Sequence, residues 1–215
     1  MTARLLIFGR QGAGKGTQSE RLSAHYETPH ISTGDMLRAA VAAGTPLGIE
    51  AKAVMDGGGL VSDEIILGVV EERLAEADGK ANGFLLDGFP RTVVQAEGMA
   101  KFATIDVAID LVVPEEIVLE RISSRRVCAK CGAIYSVAAP PSTEWVCDKC
   151  GGEVQQRADD TPESIAKRLA AYTSETQPTI DFYAASGSLV RVDGLGSPDE
   201  VFARLLSAID ARLSN

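Results

Sequence analysis

The chain has 215 residues, 45% hydrophobic and 24% charged, so it can bury a full core and is not globally disordered. Its net charge of −9 argues against general binding to nucleic acids or anionic membranes, since either requires a basic face. With no export signal and no apolar run near the ~18 residues of a membrane span, we expect a cytoplasmic protein whose cysteines bind metal rather than form disulfides.

Short apolar runs alternate with helical patterns along the whole chain. The alternation predicts an α/β fold in which helices cover both faces of a five-stranded parallel sheet. The predicted strands are residues 5–8, 29–31, 84–86, 107–113 and 189–192. The predicted helices are 16–25, 36–43, 46–55, 62–77, one that carries Gln95, 114–123, 162–185 and 198–213.

Two segments interrupt the alternation. Residues 32–61 contain short helices only, and residues 124–161 contain all four cysteines, paired prolines and the single tryptophan. We therefore expect a core domain made of residues 1–31, 62–123 and 162–215, with a small helical domain (32–61) and a second small domain (124–161) inserted into it.

The segment GRQGAGKGT, residues 9–17, links the first strand to the first helix. It approaches the phosphate-loop template G-x-x-x-x-G-K-[ST], except that Gly16 stands where the template has serine or threonine. Glycines let backbone amides curl around an anion, and a helix N-terminus adds unpaired N–H groups. Lys15 supplies positive charge for the β- and γ-phosphates. The glycine spacing does not fit a dinucleotide-binding turn.

Further charged residues follow predicted strands and helices. Asp87 and Arg91 come directly after the third strand, at the edge where α/β folds bind ligands, so Asp87 could hold water around Mg²⁺ and Arg91 could bind a phosphate. Arg121 and Arg125 are four residues apart, which predicts one helix face. Taken singly, each of these arginines also fits a solvated surface.

The cysteines form two C-x-x-C pairs separated by 15 residues, Cys128 with Cys131 and Cys147 with Cys150. This spacing is typical of a structural four-cysteine zinc site, and two disulfides or free thiols are the alternative. A small segment of this kind would take its folding energy from the metal. A nucleic-acid-binding zinc ribbon is the alternative function, but acidic residues surround the few lysines there.

The chain resembles the adenylate kinases with a zinc-binding lid, members of the nucleoside monophosphate kinase family. The resemblance rests on seven ordered blocks: GRQGAGKGTQ (9–18), ISTGDMLR (31–38), GGLVSDEI (58–65), GFLLDGFPRT (83–92), ERISSRRVC (120–128), QRADDTPESIAKRL (156–169) and RVDG (191–194). The Lys-Gly-Thr ending of the loop is this family's form. The resemblance implies reversible, Mg²⁺-dependent phosphoryl transfer from ATP to AMP, giving two ADP and maintaining adenine nucleotide balance.

The resemblance also implies roles for individual residues. An ATP site would include Gly12, Ala13, Gly14, Lys15, Gly16, Thr17, Arg121, Arg125, Ile134, Tyr135 and Gly196. An AMP site would include Thr33, Arg38, Gly59, Leu60, Val61, Gly88, Phe89, Pro90, Arg91, Gln95, Arg157 and Arg168. Catalysis would rest on Lys15, Asp87, Arg91, Arg125, Arg157 and Arg168, with the four cysteines holding Zn²⁺ in the lid.

Two points depart from or qualify this picture. Gln11 stands where the family usually has proline, so we expect a less rigid loop with its phosphate-facing amides intact. A kinase for UMP, CMP or GMP is the alternative within the class, although Thr33 and Gln95 favour AMP by resemblance. The expected partners are ATP, AMP and ADP, without nucleic acid or membrane, and the expected state is a monomer.

Overall fold

The computed structural model describes residues 3–56, 59–76, 82–157 and 159–214. Its strands are β1 (Ala3–Phe8), β2 (His30–Ser32), β3 (Gly83–Asp87), β4 (Val107–Val112), β5 (Arg125–Cys128), β6 (Ile134–Ser136), β7 (Val154–Gln155) and β8 (Leu189–Asp193). Its helices are α1 (Lys15–Tyr26), α2 (Thr33–Ala42), α3 (Pro46–Asp56), α4 (Asp63–Leu74), α5 (Val93–Met99), α6 (Glu115–Ser124), α7 (Pro162–Ala171), α8 (Gln177–Ala185) and α9 (Pro198–Leu213). A π-helical turn, Tyr172–Thr176, joins α7 to α8.

The central sheet has five parallel strands in the order β2-β3-β1-β4-β8. The predicted α/β fold is therefore confirmed. β1 lies in the middle, hydrogen-bonded to β3 on one side and to β4 on the other, and the strands that follow it in sequence lie first on the β3 side and then on the β4 side. The strand order reverses at β1, and α/β sheets bind ligands beyond the carboxyl end of a strand at such a point. The phosphate-loop segment begins there.

Both faces of β1 are buried, which explains its continuous apolar sequence. Leu5 and Ile7 pack into a core with residues of α1, α6 and α9 on one face. Leu6 and Phe8 pack into a second core with residues of α4, α5 and α8 on the other face. This alternation follows from the two-residue period of a strand and holds the loop after Phe8 on a rigid base.

Two helices, α7 and α9, begin at the capping residues that the sequence predicts. The Thr161 hydroxyl accepts a hydrogen bond from the Ser164 amide, and Pro162 is the first residue of α7. Ser197 and Glu200 form a reciprocal capping box at α9. The start of α2 differs from the prediction, because Ser32 alone caps the helix and the next three residues already belong to its first turn.

The segment 124–161 folds as a small antiparallel sheet in the order β6-β5-β7. Arg125 has extended backbone and begins β5, so the prediction that it shares a helix face with Arg121 is wrong. Because α6 ends at Ser124, between Arg121 and Arg125, their spacing of four residues does not place them on one helix face. Among the helices of the described ranges, none is long and apolar enough to cross a lipid bilayer.

Candidate active site

The loop after β1 has the backbone of an anion cradle. Gly9, Gly12 and Gly14 all have positive φ, at 145°, 84° and 101°. A Cβ at Gly9 would lie 2.8 Å from the Leu111 carbonyl oxygen, and one at Gly12 would lie 2.8 Å from the Val118 carbonyl oxygen. Gly9 and Gly12 are therefore required by both backbone conformation and close packing on β4 and α6.

A β-turn opens the loop. The Ala13 amide donates to the Arg10 carbonyl at 3.0 Å, which places Gln11 and Gly12 at the two central positions. Positive φ at the second of them is the requirement of a type II turn, and proline is common at the first. Gln11 thus occupies a position that suits proline but does not require it.

Lys15 lies at the start of α1 and spans the loop. Its Nζ donates to the carbonyl oxygens of Gly9 at 2.7 Å and Arg10 at 3.2 Å. Burial lowers the pKa of Lys15, and the positive field of Arg91, Arg125 and Arg157 lowers it further, while Asp87 opposes the shift. A partly buried cation among other cations favours an anion, so this environment fits a polyphosphate.

Gly16, the residue that departs from the general phosphate-loop template, lies beneath the segment 124–161. A Cβ at this position would lie 3.1 Å from Cδ1 of Ile134. The missing side chain lets β6 approach the loop. Thr17 and Tyr135 line a small cleft next to this contact.

Arg121 connects two parts of the predicted ATP site. Its Nη1 donates to the Ala13 carbonyl at 3.2 Å, and its Nη2 lies 3.4 Å from the Gly194 carbonyl. The neighbouring Gly196 has φ 104°, so the turn before α9 also needs a glycine. Arg121 therefore lies between the phosphate loop and the turn that resemblance places at the adenine.

The predicted AMP site centres on the turn after β3. Gly88 has φ 81°, and its carbonyl accepts hydrogen bonds from the Thr33 hydroxyl at 3.0 Å and from Arg91 Nε at 2.7 Å. Phe89 and Pro90 are buried beneath the turn. The side chains of Thr33 and Arg91, which are 58 residues apart in sequence, thus share one backbone acceptor.

Gln95 is buried and held at both ends of its amide. Oε1 accepts from the Arg91 backbone amide at 2.7 Å, and Nε2 donates to Asp63 Oδ1 at 2.7 Å. Asp63 also accepts from the Thr92 hydroxyl. Because an amide nitrogen has two hydrogens, Gln95 keeps one donor for a ligand. Asp63 is a positioning residue that sequence reasoning missed, although it lies within the block GGLVSDEI.

The remaining predicted AMP residues border the same region. Gly59 donates its backbone amide to the Val54 carbonyl at 2.9 Å, and Val61 is buried against the core. Leu60 is partly exposed between them. Arg38 pairs with Asp35 on the first turns of α2, at the opening of the site.

Arginines from separate elements converge on the space between the two predicted nucleotide sites. Burial, together with the positive charges of Arg38 and Arg125, lowers the pKa of Arg157 to about 10. Burial also lowers the pKa of Arg91, with Arg168 and Arg38 adding to the effect. So many partly desolvated cations repel one another unless anions lie between them. This cluster can bind and neutralise several phosphate groups.

Asp87 ends β3 and faces the same space. Burial alone would raise its pKa, but His30, Lys15 and Arg91 outweigh burial, so the pKa of Asp87 is lowered. The His30 Nε2 lies 3.8 Å from Oδ2 of Asp87, and Nε2 is buried without a hydrogen-bond partner in the described part of the chain. Asp87 is therefore a largely buried, ionised carboxylate close to Lys15, which suits a hydrated Mg²⁺.

Two further carboxylates that sequence reasoning missed organise the arginines. Asp160 accepts from Arg125 Nε at 3.0 Å and from Nη2 at 2.6 Å, with its side chain fully buried. Asp159 accepts from Arg168. Both residues are visible as the Asp-Asp pair of the block QRADDTPESIAKRL. The sequence does not show which arginines they contact.

The four cysteines come together as their spacing predicts. Their Sγ atoms all lie within 4.8 Å of one another, with Cys128 and Cys150 at 3.5 Å and Cys131 and Cys147 at 3.6 Å. Tetrahedral zinc with sulfur ligands at about 2.3 Å needs sulfur atoms about 3.8 Å apart, so the cluster has the size of a zinc site.

The three parts of the fold contact one another around the site. Arg157 lies 3.9 Å from Asp35 across the two insertions. Lys149 of the cysteine-bearing segment pairs with Glu20 of α1 at 3.0 Å. The Ser164 hydroxyl of α7 donates to the Asp56 carbonyl of α3 at 3.0 Å. Both insertions therefore contact the core or each other at the border of the arginine cluster.

A parallel sheet with a phosphate loop at its reversal point and an arginine-lined space under two insertions defines a nucleotide-dependent phosphotransferase of the phosphate-loop class. Comparisons with known proteins identify the family within this class. A model of the adenylate kinase family matches residues 7–188, and the chain belongs to that family. It is an enzyme of the adenylate kinase type.

Similar proteins span nearly the whole chain. The adenylate kinase of Thermodesulfovibrio yellowstonii is 51% identical, over 97% of this chain and 100% of its own. Those of Desulfitobacterium hafniense and Carboxydothermus hydrogenoformans are each 50% identical over 96% of this chain, covering 95% and 99% of their own lengths. The family resemblance drawn from seven sequence blocks is thereby confirmed.

Proposed function

We propose that the chain transfers the γ-phosphoryl group of ATP directly to AMP, in the reaction MgATP + AMP ⇌ MgADP + ADP. A non-bridging oxygen of the AMP phosphate attacks the γ-phosphorus, and the bond from γ-phosphorus to the β,γ-bridging oxygen breaks. The attacking oxygen is already anionic, so the step needs no protein base. What the reaction requires is alignment and neutralisation of charge.

The observation that carries the proposal is the cluster of mutually interacting cations, Lys15, Arg91, Arg125, Arg157 and Arg168, between the phosphate loop and the turn after β3. Lys15 and the loop amides serve the ATP phosphates, and Arg91 serves the AMP phosphate. Arg125, Arg157 and Arg168 lie between them and stabilise the charge on the transferring group. A hydrolase would need a water positioned at this point, whereas closing of the two insertions over bound nucleotides would exclude water.

Selectivity for AMP is assigned to Thr33, Gln95 and the segment Gly59–Leu60–Val61. Gln95 is fixed by the Arg91 amide and by Asp63, so its remaining N–H has a defined direction. A fixed polar group of this kind discriminates between base edges more strongly than a mobile one does. Arg38 adds charge at the mouth of this cleft.

Mg²⁺ belongs with ATP in this family, and Asp87 suits its water shell. The bound ion would neutralise charge on the β- and γ-phosphates. Asp87 itself is held ionised by Lys15, Arg91 and His30, so it accepts hydrogen bonds from coordinated water without a proton of its own. Lys15 moves from the Gly9 and Arg10 carbonyls onto the phosphates when ATP binds.

Zinc is assigned to the four cysteines as a structural ion, since four thiolates leave no open coordination position. We assign residues 124–161 as the lid, residues 32–61 as the AMP-binding domain, and the remainder as the core. The acidic chain is proposed to act as a cytoplasmic monomer on ATP, AMP and ADP, without nucleic acid or membrane partners.

The test is an assay of the purified chain with MgATP and each of AMP, UMP, CMP and GMP in turn. We expect AMP to be used at least about tenfold more efficiently than the others, because a buried hydrogen-bonding site left unpaired by the wrong base costs more than 1.4 kcal/mol. If UMP, CMP or GMP is used more efficiently than AMP, that nucleotide and not AMP is the phosphate acceptor. A filter-binding measurement at low salt that shows tight nucleic-acid binding would favour the zinc-ribbon alternative.

A further inference from the structure

We infer that Gln11 is a positioning residue for the lid arginine: its side-chain amide holds the carboxylate of Asp160, and Asp160 fixes Arg125 beside the phosphate loop. The inference rests on the proposed function, since it assigns Arg125 to the ATP phosphates. It concerns a position at which this chain departs from the proline usual in its family.

The contacts form one series of polar interactions that joins the phosphate loop, the segment 124–161 and α7. Gln11 Nε2 donates to Asp160 Oδ1 at 2.9 Å, over a separation of 149 residues. Both carboxylate oxygens of Asp160 accept from Arg125, at 2.6 to 3.0 Å. Arg168 of α7 lies 3.9 Å from Oδ1 on the remaining side. The Asp160 side chain is 0% exposed, so it exchanges no hydrogen bond with bulk water.

The chemistry of the amide fixes its direction. A carboxylate only accepts hydrogen bonds, so Nε2 and not Oε1 must face Asp160. Within the described residues, Oε1 is buried and has no hydrogen-bond partner, so the Asp160 contact alone orients the amide. Proline would suit the same turn position, but it has no side-chain donor and cannot make this contact.

These contacts leave one side of the Arg125 guanidinium available for a second anion. Asp160 takes the Nε and Nη2 donors of the guanidinium, and Nη1 makes no hydrogen bond to any described residue. An arginine held along one edge in this way presents its other edge in a fixed direction, which suits bidentate or single contacts to phosphate. Gln11 thereby links the conformation of the phosphate loop to the direction of Arg125.

The experiment measures the affinity for ATP alone by calorimetry in the wild-type chain, Gln11→Met, Asp160→Asn and the double variant. Methionine keeps the volume of glutamine and removes the donor. We expect Gln11→Met to weaken ATP binding about 3- to 10-fold, since a hydrogen bond to a charged group is lost, and to leave AMP affinity unchanged. In the Asp160→Asn background, Gln11→Met should add less than about twofold, because its partner is altered.

Gln155→Met, at an exposed lid position, is the matched control and should bind ATP as the wild type does. If Asp160→Asn fails to fold, the same cycle with Arg125→Lys replaces it, since lysine keeps the charge and loses the fork. Wild-type affinity in Gln11→Met, or an equal loss in both backgrounds, overturns the inference. Because the experiment measures binding and involves no phosphoryl transfer, this result is independent of the monophosphate assay that tests the proposed function.

Discussion

Ile134 of the lid packs over Gly16 of the phosphate loop so closely that a Cβ on residue 16 would lie 3.1 Å from the isoleucine Cδ1. The general phosphate-loop template has serine or threonine at this position. In this chain the lid occupies the space that the hydroxyl side chain would need. The departure from the template therefore fits the closing of the lid onto the loop.

Replacing Gly16 by alanine should consequently weaken ATP binding without unfolding the chain. The added methyl group presses on the end of a flexible side chain, so we expect a rise in the KM for ATP of about 3- to 10-fold, toward the mild end of overpacking effects. Steady-state kinetics at saturating AMP measure this change. Adding Ile134→Ala should restore most of the loss, and a double variant as poor as Gly16→Ala would show that the clash is not its cause.

Lys15→Met should remove most phosphoryl transfer and keep the fold. The lysine is the charged group at the start of α1, and its loss leaves only the loop amides and the arginines to stabilise the developing charge. We expect kcat to fall by roughly 10² to 10³-fold. Lys101→Met, at an exposed position, is the control. Near-normal turnover in Lys15→Met, with native circular dichroism, would contradict the role given to this lysine.

Arg157→Met should stabilise the nucleotide-free chain while abolishing activity. Arg157 is 21% exposed, its nearest carboxylate lies 3.9 Å away, and burial together with Arg38 and Arg125 lowers its pKa to about 10. Replacing an underpaired buried cation by an apolar chain is expected to add about 1 kcal/mol to the free energy of unfolding. Denaturant unfolding, with the exposed Arg212→Met as control, measures it.

The stability that Arg157→Met gains over the wild type should also depend on pH. The folded-state pKa of Arg157 lies below the usual 12.5, so the unfavourable charge is fully present below pH 10 and is relieved as the pH rises above it. The advantage of Arg157→Met should therefore shrink above pH 10. An advantage that grows with pH, or a variant less stable than the wild type at neutral pH, would show that Arg157 stabilises the fold.

Removal of zinc should melt the lid before the core. The cysteine cluster packs only a few apolar residues, chiefly Ala133 and Val154, so most of its stability must come from the metal. We expect metal analysis to give one zinc per chain, and chelation to lower the thermal midpoint by roughly 5–15 °C, with hydrogen exchange rising first in residues 126–157. Cys131→Ser should mimic chelation. A chain purified without bound metal that has a fully protected lid would refute the assignment.

Local sequence signals were sufficient for the sheet and for the loop. Apolar runs placed β1, β3, β4 and β8. Residues 29–31 contain no such run and were predicted as a short strand one residue before the observed β2. The lid strands β5 to β7 were not predicted, since they are two to four residues long and their packing depends on the cysteine cluster. The π-helical turn Tyr172–Thr176 was also missed, because one added residue in a helical ladder leaves the apolar pattern nearly unchanged.

Long-range polar partners could not be predicted at all. The arginines were visible in the sequence, but the carboxylates that direct them were not, because Asp160 reaches Gln11 and Arg125 only through the fold. The same holds for Asp63 beneath Gln95. Residues of this kind have no periodicity and no motif spacing of their own. The inserted segments likewise contact each other through pairs such as Arg157 with Asp35.

The central claim is direct transfer from ATP to AMP in a site that excludes water. The most direct measurement is phosphorus NMR of the purified chain with MgATP and AMP, following all phosphorus species with time. We predict that two ADP appear for each AMP consumed, that no inorganic phosphate accumulates, and that ATP is stable when AMP is omitted. Release of inorganic phosphate, or ATP consumption that does not depend on AMP, would contradict the account.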